Sequence, residues 1–174
     1  MNIETTIKDK GYYLIAEIGQ NHQGNLLIAK KMVDMLKHIP GVSAIKTAKR
    51  DIESSLTTIQ KNAPYENSNS FGSTYYDHRK ALELSNESFI ELKNYVEQSG
   101  LDFISSFTDT VSLQFLIDIN TKILKIASQR AIDIPLLLAA AQSKKPIILS
   151  TGMCDISNVD YAVSFFRDNA SLHV

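Results

Sequence analysis

The run YYLIAE at Tyr12–Glu17 gives the first indication of the fold, because it is short, apolar and without alternation between apolar and polar residues. Strands that are covered on both faces, as in parallel sheets, have this nearly continuous apolar character. Gly19 and Gly24 follow the run, and Leu26–His38 then carries apolar residues on one broad stripe at helical spacing. The stretch therefore predicts a β-strand, a glycine-containing loop and an amphipathic helix.

The same alternation continues along the chain. Further strands are predicted at Val42–Lys46, Leu101–Phe107, Ile123–Ser128 and Pro146–Ser150. Further helices are predicted at Glu87–Gln98, Val111–Ile119, Pro135–Gln142 and Asn158–Asp168. Alternating strands and helices with short connections indicate βαβ units, and hence an α/β fold with a parallel sheet.

Local signals support several helix ends. Ser85 is a predicted N-cap, and Gly100 lies where a glycine commonly ends a helix. Ser157 and Asp160 fit a capping box at the start of the last helix. The segment between Lys49 and Asn86 shows little periodicity. A connection of that length is usually an active-site loop or lid, or else it is disordered.

Composition excludes several classes of protein. The 174 residues carry a formal net charge of −1 with both signs interspersed, which argues against a nucleic-acid or acidic-membrane partner. No apolar run approaches the length of a membrane span, and no secretory leader begins the chain. Cys154 is the single cysteine, so no intrachain disulfide can form. We therefore expect a cytoplasmic protein.

Polar side chains gather at the carboxyl ends of the predicted strands, where parallel sheets and barrels bind their ligands. These side chains are Glu17, Lys46, Ser105, Ser106, Lys125, Ser128, Ser150 and Thr151. Ammonium and hydroxyl groups suit a small ligand that bears phosphate or carboxylate groups. The pattern predicts a small-anion site, although each position taken singly is equally consistent with solvated surface.

Two of these positions carry the most weight. Lys125 is flanked by apolar residues, and a buried lysine needs an anion to offset its desolvation. Glu17 follows an apolar run directly. His22, in the next loop, suits a metal ligand or a base, although a single loop histidine is more often exposed. Cys154 has no His or Cys at metal-ligand spacing, which favours a structural role.

Four separate motifs resemble the sialic acid synthase (N-acetylneuraminate synthase) family. Ile15-Ala-Glu-Ile-Gly-Gln-Asn-His-Gln-Gly24 is similar to its first strand and loop, and Tyr75–Ser85 resembles the loop before its second helix. Leu124–Ser128 and Pro146–Met153 are similar to two later strand ends, in the family's order. The resemblance implies a TIM-type (β/α) barrel, of which residues 1–174 form an incomplete N-terminal portion of about five βα units plus the start of a sixth strand.

The resemblance also implies a reaction. Family members condense phosphoenolpyruvate with an N-acetylated aminosugar to a nine-carbon sialic-type acid and release phosphate. It implies catalytic roles for Glu17, Lys46 and Lys125, with Glu17 as the acid/base carboxylate. The positions implied for binding the substrates are Lys46, Ser106, Lys125, Ser128, Ser150 and Arg79. N-acetylmannosamine, its 6-phosphate and dideoxy diacetamido sugars all remain open as the second substrate.

Cofactor and partner follow from the same resemblance. A divalent metal, Mn or Mg, is expected as a Lewis acid on the sugar aldehyde, with its ligands outside this chain. The family's metal-binding histidines, last strands and C-terminal antifreeze-like domain are expected beyond Val174. A homodimer is expected for the intact protein. The chain's end at Ser171–Val174 resembles the start of the sixth strand. Because the metal-binding histidines and the last strands would then be missing, we expect the chain alone to be inactive.

Two positions depart from the family pattern. Ala48 stands where an amide commonly contacts the sugar, and Arg130 stands where Asp or Glu is usual. Arg130 reverses the charge beside the implied sugar site and would favour a more anionic substrate. The alternative is a truncated or degenerate, non-catalytic barrel that binds small anions or serves in assembly.

Overall fold

The computed structural model describes residues 3–169 of the chain. Its strands form one five-stranded sheet in the order β1-β2-β3-β4-β5. Their bounds are Leu14–Gly19, Val42–Ala48, Asp102–Phe107, Ile123–Ile126 and Ile147–Leu149. β1 pairs with β2 in parallel, and β4 pairs with β5 in parallel. The predicted alternation of strands and helices is confirmed. The predicted sixth-strand start at Ser171–Val174 lies outside the described residues.

Nine α-helices are described within residues 3–169, in addition to a 3-10 turn at Ser128–Arg130. They are α1 Ile3–Lys10, α2 Leu26–Leu36, α3 Ile52–Ser55, α4 Thr58–Asn62, α5 Tyr75–Ala81, α6 Asn86–Gln98, α7 Thr110–Asp118, α8 Ile134–Gln142 and α9 Ile156–Asn169. None of the helices in this part of the chain is long and apolar enough to cross a membrane.

The chain divides into two compact units. The first comprises the residues up to Ala48 together with Leu56–Ile104. In this unit α2 packs against α6, where Val33, Leu92 and Val96 are fully buried. The ring of Phe89 meets that of Phe103 edge-on, with 5.4 Å between centroids. Helix α6 begins at the predicted cap, because the Ser85 hydroxyl accepts a hydrogen bond from Ser88 N–H.

The second unit comprises Lys49–Ser55 and the residues from Ser105 onward. Its helices α7, α8 and α9 pack against one another in sequence order. Their buried faces carry leucines, alanines and a phenylalanine, which are Leu113, Leu116, Leu136, Leu137, Ala140, Ala141, Ala162 and Phe166. Helix α8 is capped by Asp133, whose carboxylate accepts from Leu136 N–H, and Pro135 lies in its first turn.

The five strands differ in burial. Nearly every residue of β3 is buried, and most residues of β2 and β4 are buried as well, as their nearly continuous apolar character predicts. In contrast, β5 has no fully buried residue, and β1 has only Ile18. These two strands lie at the ends of the strand order, where only one neighbouring strand is described.

Two local predictions differ from the structure, and one helix has no counterpart in the predictions. The segment between Lys49 and Asn86 holds the short helices α3, α4 and α5, each started by its own polar residues despite the lack of periodicity. The predicted capping box at Ser157 is wrong, because α9 already begins at Ile156. Asp155 caps it instead, accepting from Asn158 N–H at 2.9 Å. Helix α1 was not predicted.

Candidate functional site

Glu17 and Lys46 face each other at the carboxyl ends of β1 and β2. They are register partners in the parallel pair, and their side chains form an ion pair between Glu17 Oε2 and Lys46 Nζ. The register then shifts, since Gly19 pairs with Thr47, and Ile18 is the extra residue of a β-bulge. Bulges are frequent beside active sites because they re-aim side chains. Both strands continue two residues past the ends predicted from sequence.

Backbone contacts hold the Glu17 carboxylate from the other side. Gly19 N–H donates to Glu17 Oε1 at 2.8 Å, so both carboxylate oxygens accept from a donor. Gly19 has a positive φ of 51°, a conformation that glycine adopts without strain. The buried Thr47 hydroxyl donates to the Gly19 carbonyl at 2.9 Å and fixes the turn. The carboxylate is therefore preorganised rather than free to rotate.

The two partners of the ion pair differ in their environment. The Glu17 side chain is 49% exposed, whereas that of Lys46 is only 19% exposed. Burial lowers the pKa of the Lys46 ammonium below its ordinary value, because a low dielectric disfavours the charged form. An accessible carboxylate beside a partly buried cation can exchange a proton with a ligand while the cation holds a nearby anionic group.

His22 departs from the expectation of an exposed loop histidine. It lies in the turn between β1 and α2, and it is only 1% exposed. Its Nδ1 accepts from Gly24 N–H at 3.1 Å, while its Nε2 has no hydrogen-bond partner among residues 3–169. Burial lowers the pKa of His22, so the ring is neutral at physiological pH. The sequence offered no signal for this burial, because both neighbouring residues are polar and exposed.

The β1–α2 loop is braced by the chain that follows α5. Gln20 Nε2 donates to Glu83 Oε1 at 2.5 Å. Gly24 has a φ of 70°, and a Cβ at this position would overlap the Ala81 carbonyl oxygen. A larger residue at Gly24 would therefore push the loop away from the end of α5. The glycine predicted beyond the first strand is needed for close approach of two backbone segments.

Arg79 lies on α5, in the segment that resembles the family's loop before the second helix. Its guanidinium is 5.8 Å from the centroid of the Tyr75 ring. The neighbouring His78 ring stacks on Tyr65 at 4.3 Å, and His78 Nδ1 accepts from Phe71 N–H at 3.3 Å. The segment is thus closed by its own aromatic side chains, as in a compact surface loop. The substrate-binding role of Arg79 stays a prediction.

In the second unit, the structure brings Lys125 and Ser150 together. Lys125 Nζ donates to Ser150 Oγ at 2.6 Å and to the Ile126 carbonyl at 2.7 Å. Lys125 lies in β4, and Ser150 follows β5 directly. Sequence reasoning required an anion for a lysine among apolar residues. In the structure, the ammonium group donates to two neutral oxygens, the Ser150 hydroxyl and the Ile126 carbonyl. Because Ser150 directly follows β5, this contact places the ammonium near the ends of β4 and β5.

Ser106, Ser128 and Arg130 occupy the same unit. Ser106 lies near the end of β3, and its carbonyl accepts from Lys49 N–H at 2.9 Å. Ser128 begins the 3-10 turn that follows β4, and Arg130 ends this turn. Arg130 Nη1 forms an ion pair with Asp133 Oδ2 at 3.1 Å. The charge reversal inferred from sequence is therefore partly compensated within the turn.

The residues present do not form a metal site. Among residues 3–169, no group of three or more His, Cys, Asp and Glu side chains is placed to hold a metal ion. Cys154 is a free, half-buried cysteine.

Fold and site together define an α/β protein with charged and hydroxyl side chains at the carboxyl ends of a parallel sheet. The NeuB family model matches residues 32–174, and the chain belongs to the NeuB family. This confirms the relationship inferred from the four sequence motifs.

Several named proteins are similar to the chain. The N-acetylneuraminate-9-phosphate synthase of Drosophila melanogaster is 36% identical over 157 residues, which are 90% of this chain and 42% of that protein. An N,N'-diacetyllegionaminic acid synthase of Legionella pneumophila is 37% identical over 152 residues, 87% of this chain and 42% of that protein. The chain thus spans about two fifths of the length of the curated relatives it matches.

The fold has a close counterpart among solved structures. The N-acetylneuraminic acid (sialic acid) synthetase of Leptospira borgpetersenii, crystallised in complex with citrate, superposes with a TM-score of 0.77 at 30% identity. The match covers 90% of this chain and 50% of that one. These three proteins are named for the synthesis of N-acetylneuraminate 9-phosphate, N,N'-diacetyllegionaminic acid and N-acetylneuraminic acid.

Proposed function

We propose that this chain is the phosphoenolpyruvate-binding part of a sialic acid synthase-type transferase. The reaction joins C3 of phosphoenolpyruvate to the aldehyde carbon of an N-acetylated aminosugar. Water supplies the oxygen at C2, and inorganic phosphate leaves. The observation that carries the proposal is the Glu17–Lys46 pair, an accessible carboxylate and a partly buried cation at adjacent strand ends.

The proposal includes the barrel. We infer that the five-stranded sheet is the N-terminal portion of a (β/α)8 barrel. Three observations support this inference: the sequential strand order, the parallel pairing and the half-exposed strands at the two ends of that order. A closed barrel covers such strands with further strands. A divalent metal with ligands outside residues 3–169 and a homodimer belong to the same proposal.

Each unit of the chain contributes separate chemistry. Lys46 binds an anionic group of phosphoenolpyruvate, and Glu17 moves a proton at the reacting carbons. The Lys125 ammonium and the Ser150 hydroxyl, which are joined by a hydrogen bond, bind anionic oxygens of the ligand. Ser106, Ser128 and Arg79 are proposed as further binding residues, each from its place in the resemblance.

The test is phosphate release from phosphoenolpyruvate by the protein at the length the cell produces. We expect release only when an N-acetylated aminosugar and a divalent metal are both present. N-acetylmannosamine, its 6-phosphate and a diacetamido sugar should be compared, because Arg130 carries a positive charge that Asp133 compensates only in part. If no phosphate is released with any of these sugars, the proposal is wrong.

Two observations favour a second candidate, a non-catalytic domain that binds small anions. Ala48 ends β2 without a group that could contact a sugar, and Arg130 is engaged with Asp133. This candidate predicts phosphoenolpyruvate binding without turnover. Calorimetry with phosphoenolpyruvate and each aminosugar, followed by a phosphate assay on the same samples, separates the two candidates.

A further inference from the structure

His22 is the inward-facing residue of an otherwise exposed turn. It is 1% exposed, whereas Asn21 and Gln23 on either side are exposed. Hydrogen bonds within the chain hold the turn: Asn25 N–H donates to the His22 carbonyl at 2.9 Å, and the Asn25 side chain caps α2. The turn follows β1 at its carboxyl end, where parallel sheets bind ligands.

The hydrogen bonds of the ring fix its tautomer. Because Nδ1 accepts from Gly24 N–H at 3.1 Å, the proton of the neutral imidazole is on Nε2. That Nε2–H is buried, and it has no partner in the part of the chain that the structure describes. Native structures rarely leave a buried donor unpaired, and an ordered water, an ion or a group with a catalytic role commonly accounts for the exceptions.

We propose that the Nε2–H of His22 donates a hydrogen bond to an anionic oxygen of bound phosphoenolpyruvate. His22 is then a further binding residue of the site at the carboxyl end of β1, in addition to Glu17 and Lys46. This inference rests on the proposed function, because it takes its ligand from there. Its evidence is independent: the burial of the ring, its fixed tautomer and its unpaired donor.

A neutral imidazole is suited to this task. It adds one directed donor beside the Lys46 ammonium, and it adds no further charge to the site. Hydrogen bonds between a neutral donor and an ionised acceptor are stronger than those between neutral groups. The hydrogen bond from Gly24 N–H to Nδ1 holds the imidazole ring in one orientation.

The first test observes the ring in the full wild-type chain. With ¹⁵N-labelled histidine and lysine, long-range ¹H–¹⁵N correlation spectra report the tautomer of His22. Phosphoenolpyruvate is then titrated in, and the Lys46 ammonium resonance is followed in parallel. We expect an Nε2-protonated ring whose Nε2 resonance shifts along with that of Lys46. A shift at Lys46 with a silent His22 overturns this inference and leaves the proposed function standing. If neither resonance shifts, both this inference and the proposed function are overturned.

Two substitutions separate binding from folding. His22→Asn keeps an acceptor close to the position of Nδ1 and removes the Nε2 donor, whereas His22→Gln places an amide near Nε2 and loses the Gly24 contact. We expect His22→Asn to weaken phosphoenolpyruvate binding about tenfold or more, and His22→Gln to weaken it less. A folded His22→Asn variant with wild-type affinity overturns the inference, and the wild-type spectra decide the matter if neither variant folds.

Discussion

Glu17 and Lys46 are direct partners in the register of β1 and β2, and a β-bulge begins immediately after them. The bulge and the positive φ of Gly19 let the backbone turn back, so that Gly19 N–H reaches the Glu17 carboxylate. The ion pair is therefore built by backbone geometry as well as by charge. Such a pair at the ends of parallel strands is suited to an anionic ligand: the lysine can bind the negative charge, and the carboxylate can accept or donate a proton.

Replacing Lys46 by Met should weaken phosphoenolpyruvate binding by about tenfold or more, since a charge-assisted hydrogen bond contributes about 1.5–3 kcal/mol. The matched control is Lys37→Met, which removes an exposed lysine that forms an ion pair with Asp34 at 2.6 Å on α2. Calorimetry on both variants measures the effect. Equal affinity in the two variants would remove Lys46 from the site.

Replacing Ser150 by Ala removes one partner of the Lys125 ammonium. We expect a loss of about 1 kcal/mol in unfolding free energy and a severalfold weaker affinity for phosphoenolpyruvate. Ser143→Ala is the control, because the Ser143 hydroxyl also makes a 2.6 Å hydrogen bond, to the Ala140 carbonyl at the end of α8. If Ser143→Ala weakens binding as much as Ser150→Ala does, the effect is one of stability alone.

Gly24→Ala should destabilise the protein more than Gly100→Ala. Both glycines have a positive φ, 70° and 80°, which costs an alanine about 1–2 kcal/mol. Only at Gly24 would the added Cβ overlap backbone, at the Ala81 carbonyl, whereas nothing lies within 4 Å of a Cβ at Gly100. Overpacking adds about 1–3 kcal/mol. Urea denaturation of both variants measures the difference, and equal losses would show that the β1–α2 loop does not need this close approach.

The depressed pKa of His22 predicts a loss of stability in mild acid. Below its ordinary pKa of 6.5 the unfolded chain binds a proton that the folded chain does not, so the free energy of unfolding falls as the pH falls. At about pH 5.5, one histidine contributes at most about 1.4 kcal/mol to this loss.

Urea denaturation at about pH 7.5 and about pH 5.5 measures this loss. His22→Asn should reduce the difference between the two values. The control is His38→Asn, because His38 is exposed and its removal leaves the buried His22 ring in place. An unchanged difference in His22→Asn would mean that the ring is not kept neutral by burial.

The strands and long helices could be predicted because their signals are local. The nearly continuous apolar runs of β2 and β3 indicate strands covered on both faces, and the capping hydroxyl of Ser85 marks the start of α6. Asp155 was not predicted as the cap, because Ser157, two residues later, can also accept a hydrogen bond from a helix N–H. Only the backbone geometry decides between the two residues.

The candidate site could be predicted only in part. Lys46 and Lys125 could be predicted as candidates because they are charged residues near strand ends. The structure adds their partners, which are Glu17 on the neighbouring strand for Lys46 and Ser150 after the neighbouring strand for Lys125. The burial of His22 depends on how its turn packs, and neighbouring polar residues conceal it in the sequence. Tertiary contacts of this kind have no periodic signature.

The most direct test of the central claim is phosphate release from phosphoenolpyruvate by the purified protein at its cellular length, with an N-acetylated aminosugar and a divalent metal. Glu17→Gln serves as the matched variant, because it keeps the shape and removes the charge. The account predicts sugar-dependent release in the wild type and a loss of about 100-fold or more in Glu17→Gln. Release that does not depend on the sugar, or an equal rate in Glu17→Gln, would contradict it.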